Sequence, residues 1–191
     1  MLDPVDLTGY FIGLCFAIFV VFWAVTAFST KRTVQRRGWW RVSFLVILLG
    51  YFLLRMGLLH VHWVNGLVWH RTLFIGFVAD AIALVGLAVM LWARVTLGRN
   101  WSADVALKEG HELVTTGPYR WVRHPIYSGL LLMALGWAVW RGRYSGFWGL
   151  AVLLLLFSIK ARAEEQLMIQ NFGDAYRSYK ARVKALVPYV V

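Results

Sequence analysis

Between Leu7 and Thr30 the chain carries no charged side chain, a run longer than the roughly 20 residues a helix needs to cross a bilayer. Asp3 and Asp6 precede it without any basic residue, and no small-residue cleavage pattern follows it. It therefore reads as a retained spanning helix and not as a signal peptide.

More such runs follow. A second span is expected at about Val42–Leu59, interrupted by Arg55, and a third at about Thr72–Trp92, interrupted by Asp80. Beyond a polar stretch lie two shorter runs, Ile126–Trp140 and Tyr144–Ile159, separated by Arg141-Gly142-Arg143. Each reaches only about 24 Å as a helix, short of a ~30 Å hydrocarbon core. They are expected to form a tight helical hairpin extended at its far ends by Pro125 and by Lys160–Ala163. At 60% hydrophobic and 15% charged residues, the chain is too apolar for an ordinary soluble domain, where roughly 45–50% and about 25% are usual. The expected fold is an all-α integral membrane protein with about five transmembrane helices. The 191 residues form a single membrane domain, with three helices in 1–93 and a second half in 94–191.

Basic residues orient it. Lys31, Arg32, Arg36, Arg37 and Arg41 fill the first connection, and Arg94, Arg99, Lys108, Arg120 and Arg123 the connection over 94–124. The tail adds Lys160, Arg162, Arg177, Lys180, Arg182 and Lys184, while Arg71, Arg141 and Arg143 stand on the opposite side. By the positive-inside rule the N-terminus is outside and the C-terminal tail cytoplasmic. The net charge of +11 is then a topology signal and an attraction to anionic lipid. It is divided among three loops instead of one basic face, which argues against nucleic acid. Most tryptophans, Trp39, Trp40, Trp63, Trp69, Trp92 and Trp140 among them, fall near span ends and read as interfacial anchors.

Several chemistries find no support. Cys15 is the single cysteine, so no disulfide framework is possible. His60, His62 and His70 have no metal-ligand spacing and no cysteine or carboxylate beside them, so no metal is expected. There is no glycine-rich phosphate loop, so any cofactor must be held by helices and a loop at the membrane surface. Asp80 and Arg55 are costly at membrane depth. A structural ion pair or interhelical polar contact is the expectation for them.

The chain becomes specific in its C-terminal half. It contains Leu97-Gly98-Arg99-Asn100-Trp101-Ser102, then Glu109-Gly110-His111-Glu112 leading to Leu113-Val114-Thr115-Thr116-Gly117-Pro118-Tyr119, then Arg123-His124-Pro125-Ile126-Tyr127-Ser128-Gly129. Gly117-Pro118 signals a turn and Pro125 suits the first turn of a helix. Free N–H groups at that helix start favour an anion. Arg123 beside them either grips a carboxylate bidentately or anchors the helix end on lipid phosphate. Glu164 and Glu165 follow the fifth span and, about 100° apart on a helix, serve different partners: a cationic cofactor or Arg123, or simply Lys160 and Arg162. Phe172-Gly173, Tyr176 and Tyr179 fall on an amphipathic helix whose Arg177, Lys180, Arg182 and Lys184 lie at the headgroups.

In this order the motifs resemble the isoprenylcysteine carboxyl methyltransferase family, within the wider group that includes phospholipid methyltransferases. The matching pieces are Leu-Val-Thr-Thr-Gly-Pro-Tyr (113–119), Arg-His-Pro-x-Tyr-x-Gly (123–129), Glu-Glu (164–165) and Phe-Gly-x-x-Tyr-x-x-Tyr (172–179). The resemblance covers roughly residues 94–188. It implies an S-adenosylmethionine-dependent methyltransferase whose cofactor site is formed by the last two helices, the preceding loop and the C-terminal amphipathic helix. Carried over by motif position, Arg123, His124 and Glu165 are the expected catalytic residues. Val114, Gly117, Tyr119, His124, Pro125, Tyr127, Gly129, Glu164 and Glu165 are the expected cofactor-binding set. The implied acceptor is a lipophilic or lipidated substrate, most directly a carboxylate of the isoprenylcysteine type, reached from the membrane with the site facing the cytoplasm. That placement suits a bacterial inner membrane or an endoplasmic reticulum alike. A phospholipid amine acceptor, an NADPH-dependent sterol-type reductase and a non-catalytic lipid-binding protein are the alternatives, and oligomeric state is not readable.

Overall fold

The computed structural model describes residues 3–27, 30–37, 66–102 and 105–188. The expected second span, with Arg55, His60 and His62, lies outside the described residues.

Helix α1 runs Pro4–Ala27. Pro4 opens it, and the Asp3 carboxylate accepts the Val5 N–H at 2.9 Å. Helix α2 runs Leu73–Leu97, started by Thr72, whose hydroxyl accepts the Ile75 N–H, and it continues in a 3₁₀ turn over Gly98–Asn100. Helix α3 spans Pro125–Arg141, α4 spans Tyr144–Phe172 and α5 spans Asp174–Arg182. Segments Pro4–Thr26, Leu73–Asn100 and Tyr144–Phe172 are long and apolar enough to cross a membrane. Helix α3, at 17 residues, falls short of that length by itself.

The hairpin between α3 and α4 turns as expected. Gly142 sits at φ +58°, and a side chain there would meet the Trp69 carbonyl at 2.5 Å. Helix α4, however, does not stop near residue 163. It remains helical through Phe172, so both glutamates project from a continuous rod.

Two expectations change. The described chain is not wholly helical, because β1 (Thr33–Arg37) pairs antiparallel with β2 (Val105–Lys108), with Arg36 opposite Ala106. Backbone leaving a spanning helix must find hydrogen bonds, and these two connections satisfy each other. Arg94 is also not a loop charge. It is buried on the last turns of α2, where it donates to the Gly98 carbonyl and to the Thr26 carbonyl, each at 2.7 Å, and lies 4.7 Å from the Trp101 ring. It thereby ties the end of α1 to the end of α2.

The same contacts gather the basic segments at one end. Lys31 N–H donates to the Arg99 carbonyl, Glu109 N–H to the Arg32 carbonyl, and Arg123 N–H to the Lys184 carbonyl. Arg141 and Arg143 stand at the other end, where Arg71 pairs with Asp6 at 3.2 Å. Trp140 is there too, donating to the Thr8 hydroxyl at 3.0 Å, so it locks α3 to α1 in addition to marking an interface.

Helices α2 and α3 pack through small residues. Ala79, Ala83 and Gly86 face Gly129 and Gly136. A Cβ on Gly86 would lie 2.6 Å from the Gly129 carbonyl, one on Gly129 would lie 2.6 Å from the Gly86 carbonyl, and one on Gly136 would lie 2.7 Å from the Ala79 carbonyl. In lipid, water drives no helices together, and such close backbone approach supplies the dispersion contacts instead. Asp80, one residue along from this seam, has a buried carboxylate oxygen that meets no hydrogen-bond donor among the described residues. Gly86→Val is expected to pry the seam apart at a cost of roughly 1–3 kcal/mol, as overpacking does. Cys15, 2% exposed, supplies the readout: its thiol should react with maleimide in detergent at a lower temperature in the variant than in the wild type.

Candidate functional site

At the basic end, a cavity of ≈300 Å³ is enclosed by α1, the segment after α2, and the start of α3, α4 and α5. Its apolar wall includes Phe19 and Trp23 from α1, Trp101, and Phe157 from α4. Its polar wall includes Asn100, Arg123, His124, Lys160 and Glu164.

Local sequence explains the polar wall. Gly117 at φ +57° and Pro118 close a 3₁₀ turn over Gly117–Arg120, which buries Tyr119. Pro125 then takes the first position of α3, which needs no N–H, and His124 becomes its N-cap residue. The tail returns to brace this start. His124 N–H donates to the Ala185 carbonyl at 2.9 Å, and the Ser128 hydroxyl to the Leu186 carbonyl at 2.5 Å. The Tyr179 hydroxyl donates to the Tyr119 carbonyl at 2.6 Å. Burial pushes the Tyr179 phenol up to about 12, which keeps it a donor.

Arg123 does grip a carboxylate, but the protein's own. Its Nε donates to Glu165 Oε1 at 2.7 Å and its Nη2 lies 2.6 Å from the same oxygen. Its Nη1 donates to the carbonyls of Lys180 and Val183. The side chains of Arg123 and Glu165 are 8% and 6% exposed. Lys180 adds a 2.7 Å contact to Glu165 Oε2, so this lysine serves Glu165 and not the headgroups. Arg123 is thus spent on holding α3, α4 and α5 together.

His124 stands between the two acids, with Nδ1 3.4 Å from Glu164 Oε2 and Nε2 3.4 Å from Glu165 Oε1. Burial works against its charged form, but the hydrogen bonds and charges of Glu164 and Glu165 outweigh it and raise the pKa above the ordinary value. Its ring stacks on Tyr127 at 5.4 Å, and Tyr127 stacks on Phe157 at 4.8 Å. The Tyr127 hydroxyl donates to Glu164 Oε1 at 2.6 Å. Glu164 also faces Lys160 Nζ at 3.9 Å. The two acids do serve different partners, as their helical spacing requires, yet they share His124.

Of the residues expected at the site, Val114, Tyr119, Arg123, His124, Tyr127 and Glu164 line the cavity. Gly117, Pro125, Gly129 and Glu165 do not. Gly117 and Pro125 shape the loop, Gly129 belongs to the seam with α2, and Glu165 is occupied by three cations. Asn100, Trp101, Phe19, Trp23 and Lys160 were not among the expected site residues. Asn100 and Trp101 lie in a stretch whose specificity was legible, but nothing in α1 distinguishes Phe19 and Trp23 from lipid-facing aromatics.

A sequence model of the isoprenylcysteine carboxyl methyltransferase (ICMT) family matches residues 78–170. The protein-S-isoprenylcysteine O-methyltransferase of Schizosaccharomyces pombe is 37% identical over 101 residues, covering 51% of this chain and 43% of the yeast protein. A probable protein-S-isoprenylcysteine O-methyltransferase of Oryza sativa subsp. indica is 32% identical over 120 residues, covering 61% and 63%. The chain spans roughly half to under two thirds of the length of these relatives. Among solved structures, the eukaryotic intramembrane Ras methyltransferase ICMT superposes with a TM-score of 0.52 at 20% identity, covering 82% of this chain and 55% of that one. Its fold and the three apolar helices here make this chain a membrane protein.

Two measurements probe the polar network. Breaking a buried pair by removing one partner costs roughly 3–5 kcal/mol, so R123A and E165A should each destabilise strongly. The double variant should cost clearly less than their sum in a denaturant cycle. For His124, a folded pKa above the ordinary ~6.5 means stability that is complete below about pH 6.5 and lost as pH rises through the folded value. The unfolding-midpoint gap between wild type and H124Q should therefore narrow from roughly pH 5.5 to 9. The family that residues 78–170 match, that these relatives are named for and whose fold this chain shares is one and the same: the isoprenylcysteine carboxyl methyltransferase family.

Proposed function

We propose that this chain is an S-adenosylmethionine-dependent methyltransferase acting on the carboxylate of a lipophilic acceptor of the isoprenylcysteine type. The single membrane domain would present its C-terminal half, with the basic end, to the cytoplasm. One observation carries the reading: a single cavity joins an aromatic wall continuous with the lipid-facing helices to a polar wall where cations outnumber carboxylates.

The residues present fit the cofactor. A volume of ≈300 Å³ is at the lower end of ligand sites, about 300–1,000 Å³. Asn100 Oδ1 is buried in the wall and accepts no hydrogen bond among the described residues, a vacancy that a hydroxyl or amine donor fills. The Glu164 carboxylate suits a cationic group, and Tyr119, Tyr127 and Phe157 offer faces to a planar base. When bound, S-adenosylmethionine supplies an electrophilic methyl group on a sulfonium centre.

The protein's own residues favour a carboxylate acceptor. Glu164 and Glu165 are ringed by Arg123, His124, Lys160 and Lys180, which leaves an excess of positive charge facing an arriving head group. His124 holds its proton between two acids, so it is a poor base for an amine or thiol. A carboxylate needs no base. What remains for the protein is to position the acceptor and exclude water, the main contributions in such a displacement.

The test uses the full chain in detergent, methyl-labelled cofactor and an S-farnesylated N-acetylcysteine. Label recovered as alkali-labile ester, released as volatile methanol, is the expected outcome. Alkali-stable label in phosphatidylethanolamine vesicles identifies an amine acceptor instead. Absence of S-adenosylhomocysteine binding by calorimetry in a folded sample overturns the methyltransferase reading altogether.

A further inference from the structure

The four cations around the glutamates are not equivalent. Arg123 has Nε and both terminal nitrogens engaged by Glu165 and two carbonyls. His124 is held from both sides by carboxylates. Lys180 is half-exposed, lies 2.7 Å from Glu165, and is not part of the cavity wall. Lys160 differs from all three. It lines the cavity, its side chain is 13% exposed, and its ammonium stands 3.9 Å from Glu164. A made charge-assisted hydrogen bond is about 2.7–2.9 Å, so this contact is Coulombic and loosely set.

Its place on α4 matters equally. Lys160 is the first charge after the apolar run Tyr144–Ile159, one helical turn before Glu164. Its Nζ lies 5.2 Å from the centre of the Tyr127 ring, beside Phe157 on the same wall. A molecule with its hydrocarbon in the bilayer and its head group in the cavity therefore meets Lys160 where lipid gives way to polar surface. An ammonium with three donors serves two carboxylates as readily as one. Without it, an acceptor carboxylate would face Glu164 with no intervening cation.

We propose that Lys160 receives the anionic end of the acceptor and so selects a carboxylate over an amine or an uncharged head group. This rests on the methyl-transfer reading above and names the residue that sets its acceptor class.

The probes are S-farnesyl-N-acetylcysteine and its carboxamide, titrated against the full chain in detergent, with S-adenosylhomocysteine titrated in parallel. Wild type is expected to bind the acid at least about tenfold more tightly than the carboxamide, the size of a hydrogen bond to a charged group. K160M keeps the apolar stem and should lose that preference. Its carboxamide and S-adenosylhomocysteine affinities should stay unchanged, as should the protection of the Cys15 thiol that reports folding. K160R should restore the preference. A K160M protein that still prefers the acid overturns the proposal. So does one that loses S-adenosylhomocysteine while keeping the acid, because Lys160 then serves the nucleotide. Wild type that binds S-adenosylhomocysteine but neither acceptor overturns the acceptor class itself, a failure distinct from that of Lys160.

Discussion

Arg123 and Glu165 are almost fully buried with 2.6–2.7 Å between them, and the C-terminal half of the chain is arranged by what each must satisfy. A guanidinium taken out of water needs all its donors met. Arg123 meets them with an acid from α4 and with carbonyls of α5 and the strand-like tail. Three segments far apart in sequence are thereby fixed to the residue before His124. The histidine then falls between two carboxylates, and its ring is aligned on Tyr127 and Phe157.

That network acts on a frame set by the membrane. Helices in lipid gain little by hiding apolar surface from one another, so α2 and α3 associate through backbone approach at Gly86, Gly129 and Gly136. The seam brings the end of α2, with Asn100 and Trp101, beside the start of α3, with His124 and Tyr127. Helix α1 closes the remaining side because Arg94 holds the Thr26 carbonyl and Trp23 meets Trp101 edge-on at 5.6 Å. The cavity is therefore a consequence of helix ends being held together.

Much of this was legible. The uncharged runs announced α1, α2 and the α3–α4 hairpin, and Gly142 turns where its spacing required. The ordered motifs pointed to the cavity, and most of their polar residues are found around it. Their roles divide less evenly. Within Arg-His-Pro-x-Tyr-x-Gly, His124 and Tyr127 face the cavity, Pro125 starts the helix, Gly129 lets α2 approach, and Arg123 braces the tail. A motif records that residues occur together, whereas a brace, a spacer and a wall are told apart only by neighbours. Residues 38–65 lie outside the described chain, so the readings of Arg55, His60 and His62 were not met by any described contact.

From sequence alone came the membrane environment, the helical periodicity, the sidedness of the basic segments and the family resemblance. Each depends on local composition or on order along the chain, which folding does not alter. Tertiary structure alone decided that Arg123 spends its donors on Glu165, that His124 is shared by both acids, that β1 pairs with β2, and that Phe19, Trp23, Asn100 and Lys160 meet in one cavity. Those facts depend on contacts between residues tens of positions apart. Such contacts follow from how closely helix backbones approach and from where buried charges find partners, neither of which spacing along one chain contains.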